Sequence, residues 1–161
     1  MGVICYKHEL RGQISPKRMF KALILDSSNL IPKLLPQFIQ TIDIIHGDGG
    51  PGTIEQVNFT QGSHVGYVRN RIDFLDEENL VCKYTMIEGD PLGVNNLECI
   101  AYEVRFESIA NNEGCICNIT SNYHTLGDLE KIEEEEIKAG KESGVAIFKV
   151  IENYLLDNPH L

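Results

Sequence analysis

The sequence contains no tryptophan, few lysine and arginine residues, and no apolar run near the length of a membrane span. Its 24 acidic residues outnumber 14 basic ones, which gives a formal net charge of −10. A nonspecific nucleic-acid binder needs clustered basic residues, and an anionic membrane surface repels an acidic protein. A membrane-spanning helix needs about 20 successive apolar residues. We therefore expect neither nucleic acid nor a membrane as a partner.

The N-terminus also lacks the basic and apolar regions of a secretory signal peptide. We therefore expect a cytoplasmic protein, in which the five cysteines stay reduced rather than forming a disulfide framework. Cys115 and Cys117 lie on one face of a predicted strand, but Cys82, Cys99 and His124 are scattered along the sequence. A zinc site needs four ligands at suitable places. No metal site and no cofactor are predicted.

Seven segments of the chain are rich in β-branched and aromatic residues and are bounded by Gly, Asn or Asp. They span residues 3–11, 39–45, 53–60, 65–74, 80–88, 97–108 and 113–124. Their short connections predict a mostly antiparallel sheet. Ser15 and Pro16 mark the start of one short helix, and a second begins near residues 26–29 and ends at Pro36. With no repeat or linker, residues 1–161 are predicted to form a single domain.

A longer helix is predicted at the C-terminal end, where apolar residues recur at three- and four-residue intervals from Ile132 to Leu155. It would have about 25 residues and measure nearly 40 Å. A helix of this length buries its apolar stripe against a sheet that wraps around it. Gly140 and Gly144 lie on that stripe, and each costs about 1 kcal/mol in helix propensity. Either the helix packs closely on the sheet there, or the glycines leave room for a guest.

A glycine-rich segment, residues 47–53, has the spacing of a dinucleotide-binding fingerprint. That motif requires a helix directly afterwards, whereas a strand-like segment follows here. We therefore predict a tight loop between two strands, dependent on Gly47, Gly49, Gly50 and Gly52. Phosphate binding by its backbone N–H groups is the alternative.

Several motifs together resemble the birch-pollen major-allergen family, the class-ten pathogenesis-related proteins of plants. They are Met19-Phe20-Lys21-Ala22, Leu30-Ile31-Pro32-Lys33, residues 47–53, Lys83-Tyr84-Thr85-Met86-Ile87-Glu88-Gly89-Asp90, Tyr123-His124-Thr125-Leu126-Gly127-Asp128 and Ile151-Glu152-Asn153-Tyr154-Leu155-Leu156. The resemblance covers nearly the whole chain. It implies an α+β helix-grip fold, with a curved seven-stranded antiparallel sheet, two short helices forming a V, and one long C-terminal helix over an internal cavity.

The resemblance also implies what the cavity binds and which residues line it. Its ligands would be flavonoids, cytokinins, other phytohormones or fatty-acid-like molecules, held by a defence-related carrier or store. The short helices would contribute Leu23, Leu25 and Asn29. The long helix would contribute Lys141, Ser143, Gly144 and Ile147. The sheet would contribute Glu55, Val57, Phe59, Val65, Tyr67, Asn70, Cys82, Tyr84, Tyr102, Val104, Cys117 and Ile119.

Two catalytic sets known in similar proteins are incomplete in this sequence. The positions matching the proposed ribonuclease set hold Glu55, Glu98, Glu152 and Tyr154, and Glu55 replaces a lysine, so that it would repel phosphate. The positions matching the norcoclaurine synthase set hold Tyr67, Arg69, Cys82 and Tyr102, which leaves only the tyrosine. We therefore predict a noncatalytic protein that carries or stores its ligand.

Three further expectations accompany this prediction. The protein is expected to be a monomer. An inward Glu55 would need a partner, either Lys141 or a cationic or N–H-bearing ligand, because an unpaired buried charge is costly. The alternative functions are a ribonuclease or pocket enzyme, and a ligand-gated interaction module that binds a partner through residues 60–65 and 89–96.

Overall fold

The fold is known from a computed structural model, which describes residues 2–62, 66–109, 113–127 and 134–161. One sheet contains β1 (Gly2–Gly12), β2 (Ile39–His46), β3 (Ile54–Phe59), β4 (Tyr67–Asp76), β5 (Val81–Gly89), β6 (Leu97–Ile109) and β7 (Gly114–Thr125). Its order is β1-β7-β6-β5-β4-β3-β2, and every neighbouring pair is antiparallel. The predicted seven-stranded sheet is therefore confirmed.

The helices are α1 (Pro16–Phe20), α2 (Ser27–Leu34), α3 (Asp90–Val94) and α4 (Glu134–Asp157). Pro16 occupies the start of α1, as predicted. Between α1 and α2 the chain forms one π-helical turn, Lys21–Leu25, in which the Asp26 N–H donates to the Lys21 carbonyl at 2.8 Å. The sequence did not predict α3 or this π-turn. Within the described part of the chain, no helix combines the length and hydropathy needed to cross a bilayer.

The sheet has an apolar inner face, which the helices cover, and a polar outer face. On the inner face, Val57 of β3 packs with residues of α2 and β2, and Phe106 of β6 meets Phe20 of α1 edge to face at 5.7 Å. On the outer face, the Gln56 side chain donates to Asn58 at 2.8 Å and accepts from Arg69 at 2.8 Å. This alternation follows the two-residue period of a strand.

Helix α4 touches three core clusters. Ile147 and Val150 pack against the one formed by Ile31, Leu35 and Ile39, and the other two differ in size. The larger one includes Phe20, Phe106, Phe148 and Ile151, all nearly inaccessible to solvent. The smaller one comprises the buried residues Leu92, Leu97, Ile100 and Tyr123, against which Met86, Tyr102 and Ile137 pack. The helix therefore contacts the inner side of the molecule through Ile137 near one end and through Phe148 and Ile151 towards the other.

Candidate functional site

We infer a hollow beneath α4, between Ile137 near one end of the helix and Phe148 and Ile151 towards the other. Ile137, Gly144 and Ile151 are seven residues apart, so they lie on the same side of the helix. A Cβ atom added at the half-buried Gly144 would meet nothing within 4 Å among the described residues, whereas close packing on the sheet would bring atoms within that distance. Gly140 has the same free space, but it is exposed, so that space is solvent. The interpretation that a glycine leaves room for a guest is therefore supported at Gly144 and not at Gly140.

Two stacked tyrosines lie on the inner face of the sheet below this helix. Tyr84 and Tyr102 pair across β5 and β6, and their ring centroids are 4.9 Å apart at an interplanar angle of 23°. Burial raises the pKa of both phenols far above the ordinary value. Both side chains nevertheless keep some accessible surface. A phenol that is desolvated and still accessible faces an interior space, so the pair forms part of the floor of the hollow.

Glu55 brings a carboxyl group to the same face. Burial raises its pKa, and its charge in turn raises the pKa of Cys82 and of Tyr84, after the larger effect of their own burial. The predicted ion pair with Lys141 is not formed. No described lysine or arginine lies within salt-bridge distance of this carboxyl group. Glu55 is therefore a half-buried acid that no cation in the described part of the chain neutralises.

Two buried polar atoms in this region have no hydrogen-bond partner among the described residues. One is Oδ1 of Asn70, which lies opposite Glu55 across β3 and β4. The other is Nε2 of His8, on β1 opposite Ile119 of β7. Burial and, to a lesser extent, the charge of Lys141 lower the pKa of His8, which favours the neutral imidazole. Because buried polar atoms are normally bonded, both atoms are available to the polar groups of a guest.

His8 is not among the residues that the sequence predicts to line the cavity. The available signal was its position on β1, two residues from Leu10, which packs against the core. The weak alternation of residues 3–11 concealed which side of that strand faces inward.

Most of the predicted lining residues lie on the inner face or pack against the core. This group contains Leu23, Glu55, Val57, Phe59, Asn70, Cys82, Tyr84, Tyr102, Val104, Cys117, Ile119 and Ile147. Burial raises the pKa of the Cys82 and Cys117 thiols to about 12, so both stay protonated and behave as small apolar side chains. The walls are therefore mainly apolar, with the polar groups concentrated at Glu55, Asn70 and His8.

The predicted inward position of Tyr67 is wrong. Tyr67 lies opposite Asn58 on the outer face, its hydroxyl lies 3.2 Å from Oε2 of Glu88, and the guanidinium of Arg69 is 5.7 Å from its ring centre. The neighbouring residue Val68 points inward and is only 4% exposed. Strand alternation therefore places Tyr67 on the side away from the hollow.

The structure also differs from the prediction at four helical positions. Leu25 is 40% exposed and lines a separate cavity, described below. Asn29, Lys141 and Ser143 are exposed and so do not form enclosed walls. Helical geometry explains Leu25, because residues two apart in a helix point in nearly opposite directions and Leu23 already faces the core. Val65 lies outside the described residues.

The glycine-rich loop between β2 and β3 closes on itself. Gly47, Gly49 and Gly52 have φ values of 101°, 103° and 91°, which favour glycine. The Gly49 N–H donates to Thr53 Oγ1 at 2.9 Å, and the Gly52 N–H donates to the carbonyl of Ile72 at 2.7 Å. The Gly50 N–H donates to the Asp48 side chain at 3.1 Å. With these donors engaged, the loop fits a tight turn rather than a phosphate cradle.

Comparison with known proteins agrees with this architecture. A family model described as Pathogenesis-related protein Bet v 1 family matches residues 1–158. Major strawberry allergen Fra a 1-B of Fragaria ananassa is 49% identical over 159 residues, which cover 99% of this chain and 98% of the relative. Major allergen Pru av 1 of Prunus avium is 48% identical with the same coverage.

Solved structures show the same fold. The crystal structure of Ara h 8.0201 matches with a TM-score of 0.85 and 33% identity, covering 97% of this chain and 99% of the other. Norcoclaurine synthase from Thalictrum flavum matches with a TM-score of 0.74 and 22% identity, covering 96% of this chain and 87% of the other. At that identity the second likeness concerns the fold alone.

Proposed function

Since this chain belongs to the pathogenesis-related Bet v 1 family, we propose that it carries or stores a small, flat, partly apolar plant metabolite in the hollow beneath α4. The observation that supports this most strongly is the floor of the hollow. There a stacked pair of protonated tyrosines lies near Glu55, an acid that no described lysine or arginine pairs with. Aromatic faces provide apolar contact area, and each hydroxyl adds one oriented polar group. This combination suits a flat molecule with a few polar atoms.

The polar groups of the hollow favour a ligand that donates hydrogen bonds. The Glu55 carboxyl and Oδ1 of Asn70 are acceptors on adjacent strands, and neither has a partner in the described residues. A ligand N–H or O–H placed between them would satisfy both, whereas a purely hydrocarbon ligand would leave them unpaired at a cost of about 1–3 kcal/mol for each group. Cytokinins, with their N–H groups, and hydroxylated flavonoids both meet this requirement.

The ribonuclease alternative requires carboxylates that the structure keeps apart. Glu98 lies in β6 next to Leu97, which pairs with Thr125. Glu152 accepts the Gln13 N–H next to Gly12, which pairs with Cys115. The ten residue steps from Cys115 to Thr125, at about 3.3 Å each, separate the two positions by roughly 30 Å. The two glutamates cannot act on one phosphate group.

The other catalytic set is disrupted as well. Tyr67, the only residue that matched the norcoclaurine synthase set, lies on the outer face and contacts Glu88 rather than the hollow. A binding function therefore fits the geometry better than either enzymatic alternative.

Isothermal titration of the purified protein with a cytokinin such as trans-zeatin and a flavonoid such as quercetin tests the proposal. We expect micromolar dissociation constants for at least one class, because the apolar walls contribute about 25 cal/mol for each Å² buried. If no member of a panel of plant hormones and flavonoids binds more tightly than millimolar, the proposal fails.

Two variants, each with a matched control, test whether the ligand binds in the hollow. Glu55→Gln and Tyr102→Phe are expected to weaken binding about threefold to tenfold, in line with the loss of one hydrogen bond. Their matched controls are Glu107→Gln, at an exposed position of β6, and Tyr67→Phe, on the outer face. Equal losses in the test and control variants would place the ligand elsewhere.

A further inference from the structure

A second cavity, with a volume of about 570 Å³, lies on the other side of the short helices. It is bordered by α1, the π-turn, α2, the turn between β4 and β5, and the C-terminal end of α4. Phe20 lines it and also packs edge to face on Phe106 of the sheet. Tyr84, Tyr102 and Glu55, which line the hollow, do not border this cavity. The two spaces are therefore separate sites.

The walls of this second cavity are mostly apolar and partly open to solvent. Leu25 and Leu161 are 40% and 47% exposed, and both border it. Leu30, Leu80 and Leu155 complete the apolar lining. Its volume lies within the range of roughly 300–1,000 Å³ that is typical of small-molecule sites. The cavity can therefore hold the apolar body of a small ligand.

Basic and acidic side chains are nearly balanced around this cavity, although the chain as a whole is strongly acidic. Lys17, Arg18 and Lys21 border it, against Asp26 and Glu77. Arg18 is already engaged, because its guanidinium donates to the carbonyl oxygens of Leu155 and Asn158 at 3.0 and 3.1 Å. Lys17 and Lys21 are exposed and have no ion pair in the described part of the chain. Two ammonium groups are thus available to an anion.

The π-turn supplies part of the wall. It spans Lys21–Leu25, and three of its residues, Lys21, Ala22 and Leu25, border the cavity. Single π-turns are rare and occur frequently at functional sites. Here the turn brings one of the free lysines and one of the exposed leucines to the same opening.

We propose that this cavity binds an amphipathic monocarboxylate, a small molecule with an apolar body and one carboxylate group. The apolar body lies against Leu25, Leu80 and Leu155, and the carboxylate lies at the opening, next to Lys17 and Lys21. Repulsion by Asp26 and Glu77 orients the carboxylate towards the lysines. This site acts in addition to the hollow and does not depend on it.

NMR titration of leucine- and isoleucine-methyl-labelled protein with decanoate tests the inference. We expect saturable shifts of the Leu25, Leu80 and Leu155 methyl groups. Decyltrimethylammonium, which has the same chain and the opposite charge, is expected to shift them only weakly. Shifts confined to Ile119 and Ile147, which pack towards the hollow, would overturn the proposal, as would equally tight binding of the cation at the leucines.

Two variants test the charged opening and the apolar wall separately. The double variant Lys17→Gln/Lys21→Gln is expected to weaken decanoate binding at the leucines about fivefold, as expected for two exposed ion pairs. The matched control Lys7→Gln, at an exposed position of β1, should leave it unchanged. Leu25→Asp, at a half-exposed position that tolerates a polar residue, should abolish it. Unchanged affinity in the lysine double variant would overturn the proposed role of the lysines and with it the ligand class.

Discussion

Glu55 and Asn70 lie directly opposite each other on β3 and β4, both on the inner face of the sheet. The carboxyl group is partly desolvated, and Oδ1 of the amide is buried without a partner among the described residues. Both groups accept hydrogen bonds and lie on one apolar surface, where no described residue donates to either of them. In the free protein, these unsatisfied acceptors lower the stability of the fold.

The stability contribution of Glu55 should depend on pH. Burial raises its folded-state pKa above the ordinary value of 4.5, so ionisation of this group destabilises the fold. The penalty is absent below pH 4.5 and is complete above the raised pKa. The wild type should therefore lose stability relative to Glu55→Gln as the pH rises from 4.5 towards neutrality. Urea denaturation at a series of pH values measures the difference.

Glu107→Gln is the control for this measurement, because Glu107 is exposed on β6. It removes the same charge without relieving burial, so the pH-dependent change for Glu55→Gln should exceed that for Glu107→Gln. Equal changes in the two variants would contradict the proposed desolvation of Glu55.

Filling the space beneath α4 should block ligand binding without harming the fold. Gly144→Phe places a ring where an added Cβ meets nothing within 4 Å. The variant also removes a helix glycine, which costs about 1 kcal/mol in propensity. We expect at least a tenfold loss of ligand affinity and an unchanged or slightly higher unfolding temperature. Ala146→Phe adds the same ring at an exposed position of α4 and should bind normally; similar losses in both variants would argue against a ligand under Gly144.

A methyl group at Gly12 should destabilise the protein. Its Cβ would lie 2.5 Å from Oε2 of Glu152 and 2.9 Å from the ring of Phe148. The same carboxylate oxygen accepts the Gln13 N–H at 2.9 Å, so it cannot move away without losing that bond. We expect Gly12→Ala to lower the free energy of unfolding by about 1–3 kcal/mol. Gly93→Ala, where an added Cβ meets nothing, is the control, and an equal loss there would refute the steric explanation.

The five thiols should react at very different rates. Burial raises the pKa of Cys115 to about 11 and that of Cys82 and Cys117 to about 12, whereas Cys5 is exposed on β1. Because the thiolate is the reactive form, a disulfide reagent at pH 8 should label one cysteine rapidly, and Cys5→Ser should remove that phase. Rapid labelling of three or more cysteines in the native protein would show that the inner face is open to solvent.

The strands could be predicted to within two residues from local sequence, because β-branched runs and bounding Gly, Asn or Asp residues are local signals. Which side of each strand faces inward is harder to predict. Tyr67 and Asn70 were both assigned to the cavity, although they are three residues apart on one strand. The β3 pairing runs without interruption through this part of β4, so alternation leaves Asn70 inside and Tyr67 outside.

The π-turn and the second cavity had no signal in the sequence. Leu23 and Leu25 were both assigned to the cavity, yet helical geometry allows only one of them to face the core. Leu25 becomes part of a cavity wall only in the folded chain, where the C-terminal end of α4 and the β4–β5 turn border the same space. The cavity is bordered by residues more than 50 positions apart in the chain, for instance Leu25 and Leu80, and no local pattern encodes their arrangement.

The pairing of β1 with β7 has a consequence for how the chain folds during synthesis. The Gly2 N–H donates to Thr125 Oγ1 across 123 residues, and every inner-face residue of β1 needs its β7 neighbour. A ribosome must therefore synthesise the chain through β7 before β1 can pair. Such long-range closure slows folding and leaves the first strand of the nascent chain exposed to chaperones. His8 and its side of the binding hollow are thus among the last parts of the protein to be assembled.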